Sequence, residues 1–92
     1  MGQNAKYSVV FSRKVRKNLA KIPSKIRDKF FMLTEQLSEQ GPIAANWPNY
    51  SKLGHGEYHC HLGYSWSACW SNEKGTITIE VTYVGSRENA PY

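Results

Sequence analysis

His59 and His61 stand two residues apart in Glu57-Tyr58-His59-Cys60-His61-Leu62, a stretch built from strand-forming residue types. Strand side chains alternate between faces, so Tyr58, Cys60 and Leu62 share one face and the two imidazoles share the other, within ~7 Å of each other. Imidazole is the side chain whose ordinary pKa lies nearest neutrality, so such a pair can supply a base and an acid at pH 7. Spacing alone reads equally well as two solvent-facing strand residues. His55-x-x-x-His59-x-His61 also offers three nitrogens that zinc would accept. Cys60 points to the opposite face, and no CxxC or HExxH spacing is present, so no metal site and no cofactor are expected.

Two further groups can join the imidazoles. The tail Tyr83-Val84-Gly85-Ser86-Arg87-Glu88-Asn89-Ala90-Pro91-Tyr92 places Arg87 and Tyr92 just past the last strand. An arginine clamps a phosphate through two parallel N–H bonds, and a tyrosine stacks on a base or donates a proton. Taken alone, Arg87 reads as pairing with Glu88 or solvent, and Tyr92 as a plug at the end of the chain. Lys52, in Tyr50-Ser51-Lys52-Leu53-Gly54, adds a cation at the mouth of the same sheet, although a lone loop lysine is ordinarily just solvated. Paired carboxylates for hydrolysis, a glycine-rich nucleotide loop and a membrane anchor have no support in the sequence.

These side chains need a small scaffold. Ninety-two residues fit one domain, residues 1–92, and exclude a two-domain enzyme with its own cofactor fold. With 40% hydrophobic and 21% charged residues the composition is globular rather than disordered. The formal net charge is +5, and it is uneven: residues 1–40 carry nine basic side chains against three acidic ones, residues 41–92 three against four. Arg13, Lys14, Arg16, Lys17, Lys21, Lys25, Arg27 and Lys29 form a run that reads as a polyanion-binding surface or as a soluble helix face. No apolar run approaches the ~18 residues of a membrane span, and Met1 to Phe11 lacks the pattern of a signal peptide. With only Cys60 and Cys69 and no expected disulfide, the cytoplasm is the expected compartment.

Tyr7 to Phe11 reads as a short strand, and Ser12 sits where a helix N-cap belongs. Val15, Leu19 and Ile22 give one helical stripe over Arg13 to Lys21, and Pro23 ends that helix and opens the next. Ile26, Phe30, Leu33 and Leu37 recur at core-facing spacing until Gly41-Pro42 stops the second helix. Residues 41–56 read as an irregular loop anchored by Trp47 and Tyr50. Three strands follow: Glu57 to Leu62, Ser65 to Ser71, and Thr76 to Val84, with Ile77, Ile79, Val81 and Tyr83 on one face. The order β-αα-βββ predicts an α+β fold in which a helical hairpin covers one face of an antiparallel three-strand meander and leaves the other face free.

The order and the residues together resemble the RelE/ParE superfamily of small toxins from bacterial type II toxin–antitoxin pairs. The resemblance spans nearly the whole chain. It is carried by Tyr7-Ser8-Val9-Val10-Phe11-Ser12-Arg13-Lys14-Val15, Lys21-Ile22-Pro23-Ser24-Lys25-Ile26, Lys52-Leu53-Gly54 with Tyr58, and Val84, Gly85, Arg87 and Tyr92. RelE-like members cut mRNA in the ribosomal A site without a metal, whereas ParE-like members inhibit DNA gyrase and cut nothing. The resemblance implies that Lys52 matches the cationic loop, Arg87 an arginine past the last strand, and Tyr92 the C-terminal tyrosine. His59 or His61 stands where RelE carries a catalytic arginine, and the Lys/Arg set is thinner than in RelE.

The implied activity is an mRNA endoribonuclease. His61 would be general base or acid, His59 its partner or a phosphate ligand, and Tyr92 a stacking or proton-donating group. Arg87 and Lys52 would stabilise charge, and Arg13, Lys17 and Lys21 would hold RNA. The expectation is that one sheet face gathers His59, His61, Lys52, Arg87 and Tyr92. The implied partners are a cognate antitoxin and mRNA on the ribosome, with no membrane. The alternatives are a gyrase inhibitor of the same fold and a non-toxic polyanion-binding module.

Overall fold

The computed structural model describes residues 6–92. Strand β1 (Ser8–Phe11) leads through Ser12 into helix α1 (Arg13–Leu19). The Ser12 hydroxyl accepts from the Val15 backbone N–H at 3.2 Å, so the expected N-cap is formed. Pro23 is the N-cap of α2 (Ser24–Gln40), one position earlier than a first-turn proline would sit. Phe30, Leu33 and Leu37 are buried along α2, as their spacing requires. Gly41 ends α2 with φ at 98°, in the left-handed region where a Cβ is strained. A side chain there would also meet the Tyr7 ring at 3.0 Å.

Strands β2 (Ser51–Gly54), β3 (Glu57–Gly63), β4 (Trp66–Asn72) and β5 (Thr78–Ser86) complete a five-stranded sheet in the order β1-β5-β4-β3-β2. β1 pairs with β5 in parallel, and the other pairings are antiparallel. Both helices cover one face. Val15, Ile22, Phe30, Leu33 and Leu37 meet Tyr58, Cys60, Leu62, Ala68, Trp70, Ile79, Val81 and Val84 in a single cluster. The predicted α+β order is therefore observed, with helices on one side of the sheet.

Two details differ from the sequence reading. β2 lies inside the segment read as irregular loop. All four of its residues are exposed, so it carries no burial pattern, and its place is fixed by backbone pairing with β3 across a bulge. The second difference is in β5. Ile77 lies before the strand and is exposed, and the register shifts at Cys69/Trp70, leaving Tyr83 opposite Cys69 while Val81 faces Trp70. The bulge hands the core position to Val84 and sends Tyr83 to the uncovered face.

The two cysteines sit on opposite faces of the sheet. Cys60 pairs with Ala68 on the core side, and Cys69 pairs with His59 on the other. Both are buried and free. Burial pushes the Cys60 thiol up to about 12, helped by Cys69, and the Cys69 thiol up to about 11, helped by Glu57. Neither is a thiolate at neutral pH.

Candidate functional site

β3 places His59 and His61 on the sheet face the helices leave uncovered. Their rings meet edge-on, with centroids 5.9 Å apart. The β3–β4 turn is only Tyr64-Ser65, and it receives the chain again after β5. The Arg87 backbone N–H donates to the Ser65 carbonyl at 2.8 Å, and Arg87 Nη1 donates to the Tyr64 carbonyl at 2.7 Å. The guanidinium lies 5.8 Å from the centre of the Tyr64 ring. These contacts hold Arg87 beside His61 and leave its remaining N–H groups for an anion.

Tyr92 closes the arrangement from above. Its ring sits 4.0 Å from that of His59. His61, Tyr64, Ser65, Ser86, Arg87, Glu88 and Tyr92 line an open cleft of about 550 Å³. Burial lowers the His61 pKa from its ordinary value, and the nearby Arg87 charge lowers it further. His61 is therefore neutral at pH 7, with a nitrogen able to accept a proton.

No family profile matches the chain, and no curated protein matches it in sequence. Solved structures do match. A chain of the archaeal RelE–RelB complex from Pyrococcus horikoshii OT3 superposes with a TM-score of 0.73 at 17% identity, covering 92% of this chain and 99% of that one. A chain of the E. coli DinJ–YafQ toxin–antitoxin complex gives 0.73 at 13% identity over 95% and 99%. A double mutant of the E. coli toxin RelE in the free state gives 0.71 at 21% identity over 92% and 87%. The fold is RelE-like.

On this RelE-like fold the expected residues divide into two groups. His61, Arg87 and Tyr92 share the cleft. His59 adjoins them but is not on an open face. It is 7% exposed beneath Tyr92, and its Nδ1 lies 3.1 Å from the Ser51 hydroxyl. Burial, and then the charge of His61, lowers its pKa from the ordinary value. His59 supports its neighbours and has little room to touch a substrate.

Lys52 does not join them. It pairs with Tyr58, so it belongs to the helix-covered side of the sheet. There it lines a separate cleft of about 610 Å³ with His55, Asn72, Glu73 and Lys74. The expected five-residue cluster is thus reduced by one, because Lys52 lies on a strand whose register decides its face. His55 lies in that same second cleft, so the three histidines do not converge. Arg13, Lys17 and Lys21 are exposed around α1, with Lys21 in a third cleft beside the end of β5.

The sequence reading missed Tyr64. It is 89% exposed at the lip of the His61 cleft. A two-residue hairpin turn has no core to face, so an aromatic at its apex is a recognisable signal of a binding platform. Ser51 was missed as well, because only the β2–β3 register brings it to His59.

The lowered imidazoles carry a pH signature. In the unfolded chain both histidines titrate near the ordinary 6.5, and in the folded chain they titrate lower. The unfolded state therefore binds protons first as pH falls. Their contribution to stability is complete above about 6.5 and declines below it, towards the lowered folded values. Denaturation midpoints measured from pH 8 to pH 5 should drop across this interval. The drop should shrink in His59→Asn/His61→Asn.

Proposed function

We propose that this chain is the toxin of a type II toxin–antitoxin pair and cuts mRNA on the ribosome, with its own side chains as acid and base. One observation carries the reading: His61, Arg87 and Tyr92 line a single open cleft on the uncovered face of a RelE-like sheet. Neutral His61 takes the proton of a ribose 2′-OH, and the 2′-oxygen attacks the adjacent phosphorus. Arg87 stabilises the added negative charge, a task that fixed donors perform well. The P–O5′ bond breaks, and the Tyr92 hydroxyl protonates the departing 5′-oxygen. The products are a 2′,3′-cyclic phosphate and a 5′-hydroxyl end. His59, under Tyr92, holds the ring in place.

The partner proposed is a cognate antitoxin. Similar solved structures are of a RelE–RelB complex and a DinJ–YafQ toxin–antitoxin complex. The cation-rich helical hairpin suits an acidic segment. Among the described residues, no helix is long and apolar enough to cross a membrane.

Brief expression of the chain alone in a bacterium, followed by mapping of mRNA 5′ ends, tests this. New ends at a fixed position within codons of translated messages are expected within minutes. Intact messages with a DNA-damage response would transfer the target to gyrase. Unimpaired growth would remove the toxin role altogether.

A further inference from the structure

The third cleft, which holds Lys21, adjoins the first. It has a volume of about 380 Å³, between α1 and the end of β5, and among its lining residues are Lys14, Asn18, Lys21, Trp66, Tyr83 and Asn89. Ser86 lines both clefts, so they lie next to one another at the end of β5. We propose that this third cleft is a nucleotide subsite, which holds the residue of single-stranded RNA next to the one that reacts. The proposal rests on the reading of the His61 cleft as an RNA site and extends it.

The lining supplies the two kinds of contact an unpaired nucleotide needs. Lys14 and Lys21 are exposed cations, and no carboxylate lines this cleft, whereas Glu88 lines the first. Two cations without a neighbouring acid favour phosphate. Trp66 is half-buried and packs one side on the core, which fixes its indole as a platform for a base.

The walls are held apart by structure rather than by chance. Asn18 Nδ2 donates to the Val84 carbonyl at 3.1 Å and ties α1 to β5. The Tyr83 hydroxyl donates to the Ser86 carbonyl at 2.7 Å and fixes the floor at the junction. Gly85 allows this: a Cβ there would meet the Tyr83 hydroxyl at 2.7 Å. Stacking together with phosphate contact reads an unpaired strand and little of its sequence, so the subsite adds affinity and register without strong base preference.

Binding of uncleavable 2′-O-methyl RNA, as a dinucleotide and as a hexanucleotide, tests the proposal at several salt concentrations. The hexanucleotide should bind the wild-type chain more tightly and quench its indole emission. Lys14→Glu/Lys21→Glu should lose that gain, by about tenfold or more, and lower the salt slope by about 1.4 for two phosphates of a single strand. Lys25→Glu/Lys29→Glu, the same charge change on α2, should keep most of it. Trp66→Phe, checked for an unchanged melting curve, should lose the quenching.

Equal losses in the two charge-reversed variants would overturn the subsite, because net charge alone would then explain the gain. Dinucleotide and hexanucleotide binding alike, with Arg87→Ala weakening both, would overturn the subsite and leave the His61 cleft standing. No binding of either RNA by the wild-type chain would overturn the subsite, and the mapping of mRNA 5′ ends decides the His61 reading separately.

Discussion

Replacing His61 by alanine is expected to slow RNA cleavage by about 10²–10⁴, the usual worth of a positioned general base. Arg87→Ala is expected to cost about 10²–10³, the worth of one fixed donor at a developing charge. Both side chains stand in the cleft rather than in the core, so neither change should unfold the chain. The two losses should not add, because base and charge stabiliser act on one transition state. The measurement is the cleavage rate of a defined message in a translation extract, with melting curves beside it. His61→Ala should also remove the acid limb of the rate–pH profile, which rises as the lowered imidazole loses its proton. Full activity in both variants would remove this site from the chemistry.

The parts of the fold that were legible are those encoded locally. Phe30, Leu33 and Leu37 announce α2 by spacing alone, and Ser12 announces the start of α1 by its hydroxyl. The alternation through Tyr58, His59, Cys60, His61 and Leu62 correctly separates core side from site side, because a strand period of two needs no knowledge of its neighbours. What stayed hidden depends on pairing. β2 has four exposed residues and exists only because β3 offers it a backbone edge, so the face of Lys52 could not be read. In β5 the sequence alternates without a break through Ile79, Val81 and Tyr83, yet one bulge transfers Tyr83 to the other side. The same limit applies to the site. His59 reads as exposed until the far end of the chain brings Tyr92 over it, 33 residues away in sequence.

The uncovered sheet face keeps a polar site stable through contacts among its own members. Ser51 reaches His59, His59 meets Tyr92 and His61, and Arg87 is tied to the Tyr64–Ser65 turn. Several of these groups come from chain segments that meet only through the sheet. Site geometry is therefore as sound as the pairing beneath it. That pairing is braced from the covered side, where β3 and β4 bring Tyr58 and Trp70 against the segment that precedes β2.

Trp70→Ala should accordingly be the most damaging core substitution for both stability and activity. Trp70 is 1% exposed and lies in a stack with Tyr58 at 6.1 Å and Tyr50 at 6.3 Å. Its indole N–H donates to the Pro42 carbonyl at 2.9 Å, which ties the start of the 41–50 segment to the sheet. The other end of that segment reaches the site side, where the Pro48 carbonyl accepts from the His61 backbone N–H at 2.8 Å. Truncating a buried tryptophan costs about 3–5 kcal/mol. A chain of this length has only about 5–14 kcal/mol in total. The melting temperature should therefore fall by about 15 °C or more. Trp70→Phe keeps a ring in the stack but loses the hydrogen bond and part of the indole volume, so its cost should be smaller, about 2–3 kcal/mol. Cleavage should follow the same order at a temperature where both variants are still folded, because a slack 41–50 segment releases the backbone that holds His61. Trp70→Ala melting like the wild type would mean that the segment is held by Trp47 and its bond to Gln36 instead.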